Sequence, residues 1–335
     1  MKEIFSIVLV IIGALIGAGF ASGQEIYAFF YSYGLIGILG LIITFVLISV
    51  TIYKSFKIIC VKKIDNYDEF LKIFIKNEKV AKVINIILNI LLLVTFYIMI
   101  AGFGAYFEQE IGLNRIIGSG LLAIMSAIVF FTSVKGVLKV SQYIVPILII
   151  FIIVIGGINL LTLEVKNEIP IINSGWLLSS ISYCSFNMIL LIPVLISLRQ
   201  QITTKSNIKY IAIISGNLMI IMSMIIYMLL IKVDVDIATL EMPVVYVVRS
   251  FFSNFKTLYA FIILSSIFTT AISIGIGFLQ NISKNKKSYT QFVLFMCITS
   301  LIISNFGFSK LVNLVYPIFG YIGIVQIFLI IKQKI

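Results

Sequence analysis

Apolar runs of about 18 residues or more recur along the whole of this chain, each long enough to cross the hydrocarbon core of a bilayer. Ten are read, at roughly 4–33, 35–60, 81–107, 113–132, 140–162, 174–198, 208–231, 255–281, 289–306 and 310–331. Backbone in lipid must satisfy its own polar groups, so runs of this kind are expected to be helices. The 335 residues are 61% hydrophobic and only 11% charged, which leaves no connection long enough for a second domain. The expected architecture is a single all-α integral membrane domain over 1–335.

The formal net charge is +12. A basic balance raises the question of nucleic acid, but the lysines are spread over short connections and form no patch. The partners expected are the bilayer and a small-molecule solute, with no nucleic acid. With the N-terminus inside and ten crossings, the inside receives Lys2, the eight lysines from Lys54 to Lys82, Lys135, Lys139, Arg199, Lys205, Lys209, Lys284, Lys286, Lys287, Lys332 and Lys334. The outside receives Arg115, Lys166, Lys232, Arg249, Lys256 and Lys310. That asymmetry predicts a multi-pass protein of the cytoplasmic membrane with both termini in the cytoplasm.

Cys60, Cys184 and Cys297 lie in or beside apolar runs, without metal-ligand spacing, and the chain has no His. The commonest metal ligand and general base are therefore missing. No nucleophile–base pair suggests an enzyme, and no ring of like charge or repeated filter motif suggests a channel. No cofactor is expected beyond an ion.

The first run departs from the others. Residues 13–25 read Gly13-Ala14-Leu15-Ile16-Gly17-Ala18-Gly19-Phe20-Ala21-Ser22-Gly23-Gln24-Glu25. Each glycine weakens a helix by roughly 1 kcal/mol relative to Ala. Interrupted backbone is tolerated at membrane depth only where it is buried in protein or lines a cavity, so a broken first helix predicts a solute site near the midplane. Lys2, the apolar run and Ala18-Gly19-Phe20-Ala21 also have the look of a signal peptide. The aromatic, apolar continuation argues that the segment stays.

Five runs fall in each half, about 1–162 and 174–335. Five is odd, so the second half enters the membrane from the opposite side, the condition for an inverted repeat. The sixth run then corresponds to the first. It carries Ser179-Ser180-Ile181-Ser182-Tyr183-Cys184-Ser185-Phe186-Asn187, with Pro193 beyond, and a second broken helix is expected there. Two further segments do not span. Over 62–79, Tyr67, Phe70, Leu71, Phe74 and Ile75 fall on one helical face, giving an amphipathic interfacial helix that is either a connector or a gating element. Leu240–Ser253 opens with Glu241-Met242-Pro243, a helix start, and is either a lid or a capped connector.

The Gly13–Glu25 segment resembles the unwound first helix of the LeuT-fold, or amino acid–polyamine–organocation, transporter superfamily. Gly17–Glu25, Phe29-Phe30 with Gly34, and Tyr316-Pro317-Ile318-Phe319-Gly320-Tyr321 are most similar to the YkvI-like bacterial membrane proteins, in order over nearly the whole chain. The resemblance implies ten helices in a 5+5 inverted repeat, with helices 1 and 6 broken. It also implies a sodium site formed by the carbonyls of Gly13, Ile16 and Ser266 and the hydroxyls of Thr269 and Thr270. Neutral oxygens suit a hard cation, although hydroxyls in membrane helices also bond their own i−4 carbonyls or pack against neighbours. Some proton-coupled relatives replace this sodium with a Lys from helix 5. Here the fifth run has no basic residue between Lys139 and Lys166, which favours sodium.

The candidate solute site is Ala14, Gly17, Ala18, Gly19, Tyr97, Tyr183, Ser185 and Asn187. Free N–H groups at Gly17, Ala18 and Gly19 would hold a carboxylate. Carbonyls freed around Tyr183–Asn187 would accept from an ammonium group. Tyr97 either adds a hydroxyl to the carboxylate or packs with its hydroxyl satisfied by a neighbouring helix. Ser185 and Asn187 either read a polar side chain or cap the broken helix. Glu25 is the acid inside the spans, where carboxylates are rare and functional by default. It is an outer-gate partner to a basic residue, a proton acceptor, or a solvated helix residue, and Gln24 beside it would serve the same gate. The expected function is sodium-coupled symport of a small zwitterion, an amino acid or relative, by alternating access. The alternatives are a non-transporting solute sensor or receptor subunit on the same scaffold, and a proton-coupled transporter using Glu25.

Overall fold

Helix occupies every one of the apolar runs. The computed structural model of the chain describes residues 2–75, 77–132, 135–161, 174–202, 204, 206–283 and 285–333. The connection between the two halves, with Lys166, lies outside them, as do Lys76, Lys205, Lys284 and Lys334.

The first run forms three short helices: α1 (Lys2–Leu15), α2 (Ala18–Ala21) and α3 (Gln24–Phe29). Then come α4 (Ile36–Lys62), the short α5 (Tyr67–Lys72), and α6 (Glu78–Tyr106), which ends in a π-helical turn, Phe107–Ile111. The first half closes with α7 (Arg115–Phe131) and α8 (Lys135–Leu161). The second half holds α9 (Trp176–Ser197), α10 (Asn207–Leu230), the short α11 (Pro243–Phe251), α12 (Lys256–Ile282), α13 (Lys286–Ser304) and α14 (Phe308–Lys332). No strand occurs among the described residues.

Local chemistry sets the ends. Asn66, Asn77, Asn114 and Asn285 each accept a first-turn N–H through the side chain at the starts of α5, α6, α7 and α13, a preferred N-cap arrangement. Pro243 opens α11 at its first position, where the missing N–H costs nothing.

Seven helices are long and apolar enough to cross a membrane: α4, α6 with its π turn, α9, α10, α12 with the turn before it, α13 and α14. Three shorter apolar helices accompany them: Glu3–Leu15, Arg115–Phe131 and the Ile144–Ile158 part of α8. The outer faces are apolar. On α7, Ile117, Leu121, Ile124 and Ile128 are all exposed at helical spacing, a face too apolar for water and suited to lipid. The chain is an all-α integral membrane protein.

α9 is the central element: 78% of its apolar window is buried, against 28% for the peripheral α13. It packs on α4, α14, α1 and α3. α1 lies against α8, α9 and α10, while α12 packs on α6, α8 and α7.

Two sequence expectations are corrected. The sixth run is not broken, because α9 is continuous from Trp176 to Ser197. Its polar residues turn back on their own helix or reach across it: Ser180 Oγ donates to the Trp176 carbonyl at 2.7 Å, Ser185 Oγ to Ile181 at 2.7 Å and Asn187 Nδ2 to Tyr183 at 2.9 Å. Ser182 Oγ donates instead to the Pro317 carbonyl of α14 at 3.2 Å. Such bonds are compatible with an unbroken helix. The amphipathic segment is also shorter than its pattern, since Lys62 belongs to α4 and Glu78 and Lys79 to α6. Among the described residues between them, only Tyr67–Lys72 is α-helical. Phe70 and Leu71 are buried, and the Tyr67 hydroxyl donates to Gln326 Oε1 at 3.2 Å.

Candidate functional site

The first run breaks twice. Gly17 is extended, at φ −92° and ψ −172°, between α1 and α2. Gly23, at φ +83°, is left-handed between α2 and α3, a conformation natural only to glycine. Its place is tight as well, since an added Cβ would lie 2.6 Å from Val244 Cγ2.

The polar groups set free at the second break are nearly all satisfied. Ser22 Oγ donates to the Gly19 carbonyl at 3.1 Å, the Tyr259 hydroxyl to the Ala21 carbonyl, and the Val244 N–H to the Ser22 carbonyl at 2.9 Å. The first break is different. The last intrahelical bond of α1 runs from Ile16 N–H to the Ile12 carbonyl. Among the described residues, the carbonyls of Gly13, Ala14, Leu15 and Ile16 then accept no hydrogen bond, and the N–H groups of Gly17, Ala18 and Gly19 donate none. Free carbonyls and free N–H groups therefore meet at one point inside the bundle, where unpaired polar groups are costly.

Of the residues assigned to sodium, Thr270 faces the break: its Cγ2 is 4.0 Å from the Cβ position of Gly17. Thr269 and Ser266 are buried, and the Thr269 hydroxyl donates to the Ser266 carbonyl at 3.1 Å. Gly13 sits against α8, with Val145 Cγ2 2.9 Å from its Cβ position. Ala14 is exposed, and Gly13, Gly17 and Thr270 are half-buried. Ala14 lies about 18 Å along α1 from its start.

The far side is closed. Glu25 is 3% exposed and its side chain curls back toward the chain that precedes it. A Cβ on Gly19 would lie 2.7 Å from Glu25 Cγ and 2.9 Å from Cδ. The carboxylate accepts from the Phe20 N–H and, at 2.7 Å, from the Tyr183 hydroxyl of α9. No ion pair among the described residues includes Glu25, so it has no basic gate partner in this conformation, and it is not a solvated helix residue. Tyr183 is wrapped by Phe29, Phe30 and Phe45, with ring centroids at 4.9, 5.2 and 6.2 Å. Tyr316 of α14 stacks on Phe186 at 4.1 Å and lies close enough to Glu25 to interact with its charge. Gln24 donates through Nε2 to Asn313 Oδ1 at 3.2 Å, while its buried Oε1 accepts nothing.

Other candidates have partners away from the break. The Tyr97 hydroxyl shares a 2.6 Å hydrogen bond with Thr299 of α13, a neighbouring-helix partner. Ser185 and Asn187 bond within α9 and do not cap a break.

The Leu240–Ser253 segment carries contacts invisible in the sequence. Besides reaching Ser22 through Val244, it is tied to the turn after α6 by Gln109. Gln109 Oε1 accepts from the N–H groups of Glu241 and Met242 at 3.1 and 2.9 Å, and its Nε2 donates to the Met242 carbonyl at 3.2 Å. Glu241 also accepts from the Ser309 N–H at 2.6 Å and lies 3.5 Å from Arg115, which pairs in turn with Glu108. On α11 the Tyr246 hydroxyl donates to Asp234 at 2.6 Å, and that carboxylate raises the phenol above its ordinary pKa.

Two curated bacterial proteins are similar to this chain along its length. The uncharacterized membrane protein YkvI of Bacillus subtilis (strain 168) is 30% identical over 337 positions, covering 97% of this chain and 94% of that protein. The uncharacterized protein YyaD of the same organism is 24% identical over 334 positions, covering 94% and 92%. No family model matches the chain.

Proposed function

This chain belongs to the family of the YkvI membrane protein, and from that premise we propose that it is a secondary transporter of a small solute. The observation that carries the reading is the first break: free carbonyls at Gly13–Ile16 and free N–H groups at Gly17–Gly19 meet inside the bundle. A membrane protein leaves such groups unpaired where a solute or ion completes them.

The solute is a small molecule with an ammonium group, in the class of amino acids and their relatives. The ion is sodium, held by the carbonyls of Gly13, Ile16 and Ser266 and the hydroxyls of Thr269 and Thr270. The bare end of α1 supports this, since a helix C-terminus favours a cation and Thr270 faces it. Thr269, donating to Ser266, keeps its oxygen lone pairs for a cation. The scaffold is a ten-helix 5+5 inverted repeat in the cytoplasmic membrane with both termini inside. Its first helix breaks alone, since α9 is continuous. Alternating access rocks α1–α4, α9 and α10 against the remaining spans.

The test is uptake of a panel of labelled amino acids and small amines into proteoliposomes, with and without an inward sodium gradient. Sodium-dependent accumulation of one solute is expected. Accumulation driven only by a proton gradient moves the coupling role to Glu25. Saturable binding without accumulation identifies a sensor and overturns the transporter.

A further inference from the structure

We propose that Glu25 is the group that recognises the solute, by pairing with its ammonium nitrogen, and that simple organic amines without a carboxylate are ligands of this protein. The inference deepens the transporter reading and rests on it.

The argument begins with what Glu25 displaces. The backbone donors of the first break are a natural seat for a solute carboxylate. Here the chain puts its own carboxylate beside them: Glu25 packs against Gly19 and accepts from the Phe20 N–H. A second carboxylate brought to this spot would meet a like charge at close range in a medium of low dielectric. A cation would meet its complement. Glu25 is buried, accepts one N–H and one hydroxyl, and forms no ion pair among the described residues. A buried carboxylate with no countercharge is costly to keep ionised, and a ligand ammonium supplies the missing charge.

The surroundings suit an organic cation more than a bare metal ion. The Tyr183 hydroxyl of α9 donates to the carboxylate, and Tyr316 of α14, stacked on Phe186, lies within range of its charge, so the surroundings are largely aromatic. The neighbouring Gln24 Oε1 is a buried acceptor without a donor, a partner for a second N–H. Glu25 is closed off in this conformation, so a ligand reaches it only when the helices part. Binding is therefore expected to be slow to form and to change the protein's stability measurably.

The experiment is binding to the purified full-length protein in detergent, by calorimetry and thermal shift, of a matched set: butylamine, γ-aminobutyrate and butyrate. Butylamine is expected to bind within about tenfold of γ-aminobutyrate, and butyrate not to bind. In Glu25→Gln, which keeps the side-chain shape and one carbonyl oxygen to accept from Tyr183, amine binding is expected to fall by at least roughly tenfold. Binding of γ-aminobutyrate or butyrate without butylamine overturns the proposal. So does absence of butylamine binding up to about 10 mM, or an unchanged affinity in Glu25→Gln. Should Glu25→Gln not fold, the ligand series on the unaltered protein decides by itself. The transporter reading fails separately: amine binding that depends on Glu25 with no accumulation in vesicles sinks transport and leaves this assignment standing. Accumulation of a carboxylate solute indifferent to Glu25→Gln does the reverse.

Discussion

A methyl group at Gly19 and one at Gly17 would have very different consequences, although the two lie only two residues apart. At Gly19 it would run into the Glu25 carboxyl and its Cγ. At Gly17 it would find Thr270 Cγ2 at 4.0 Å, an ordinary contact. Gly19→Ala is therefore expected to force Glu25 from its place and weaken solute binding by about tenfold or more, while Gly17→Ala stays within a factor of about three. Parallel titrations of the two variants check the contrast, and equal losses would remove Glu25 from the site. The hydroxyls on α12 make a second residue-scale case. Thr269→Ala with Thr270→Ala is expected to raise the sodium concentration for half-maximal binding at least roughly tenfold, and an unchanged requirement places the ion elsewhere. None of the Glu25 geometry is written in the sequence. The glycines announce an interruption, but no local pattern says that a side chain six positions on returns to cover Gly19. Likewise, a serine that breaks a helix and a serine that bonds its own i−4 carbonyl give the same letters, which is why Ser180, Ser182, Ser185 and Asn187 suggested a second break where α9 runs through.

Among the elements, the spanning helices were the most legible, because length and apolarity are what lipid selects for. The short ones were not. The pattern over 62–79 has a helical period, yet regular α-helix covers only Tyr67–Lys72, with Asn77 capping the next long helix. For α11, composition marked a helix start at Pro243 and left its target unknown. The structure supplies the targets in Ser22, Gly23, Gln109, Arg115 and Ser309. Gln109 holds the segment that leads into α11 with three hydrogen bonds, each worth about 1 kcal/mol net. Gln109→Ala is expected to loosen that segment by about 2–3 kcal/mol, read as faster amide exchange over 241–251 with the long helices unchanged. Exchange that does not respond would mean that the other ties of this segment, among them Val244 to Ser22, Arg249 to Gln109 and Glu110, and Glu241 to Arg115 and Ser309, suffice to secure it.

At the scale of the whole molecule, the two sides of the break differ in access. Ala14 is exposed, whereas Val244 is 1% exposed and lies against Gly23. In a background with Cys60, Cys184 and Cys297 replaced, Ala14→Cys is expected to react with a membrane-impermeant thiol reagent from the side of the N-terminus, and Val244→Cys to be protected. Solute and sodium together are expected to reverse the pattern if the molecule alternates; fixed reactivity at both sites would speak for a receptor. One backbone atom would record such a motion. The Val244 N–H sits in the first turn of α11, where the helix itself offers no acceptor, and its partner is the Ser22 carbonyl between α2 and α3. Its hydrogen passes to water when that bond opens. If the molecule alternates, that single amide is expected to act as a clock, its deuterium uptake counting partings of α11 from the first helix with no ligand identified.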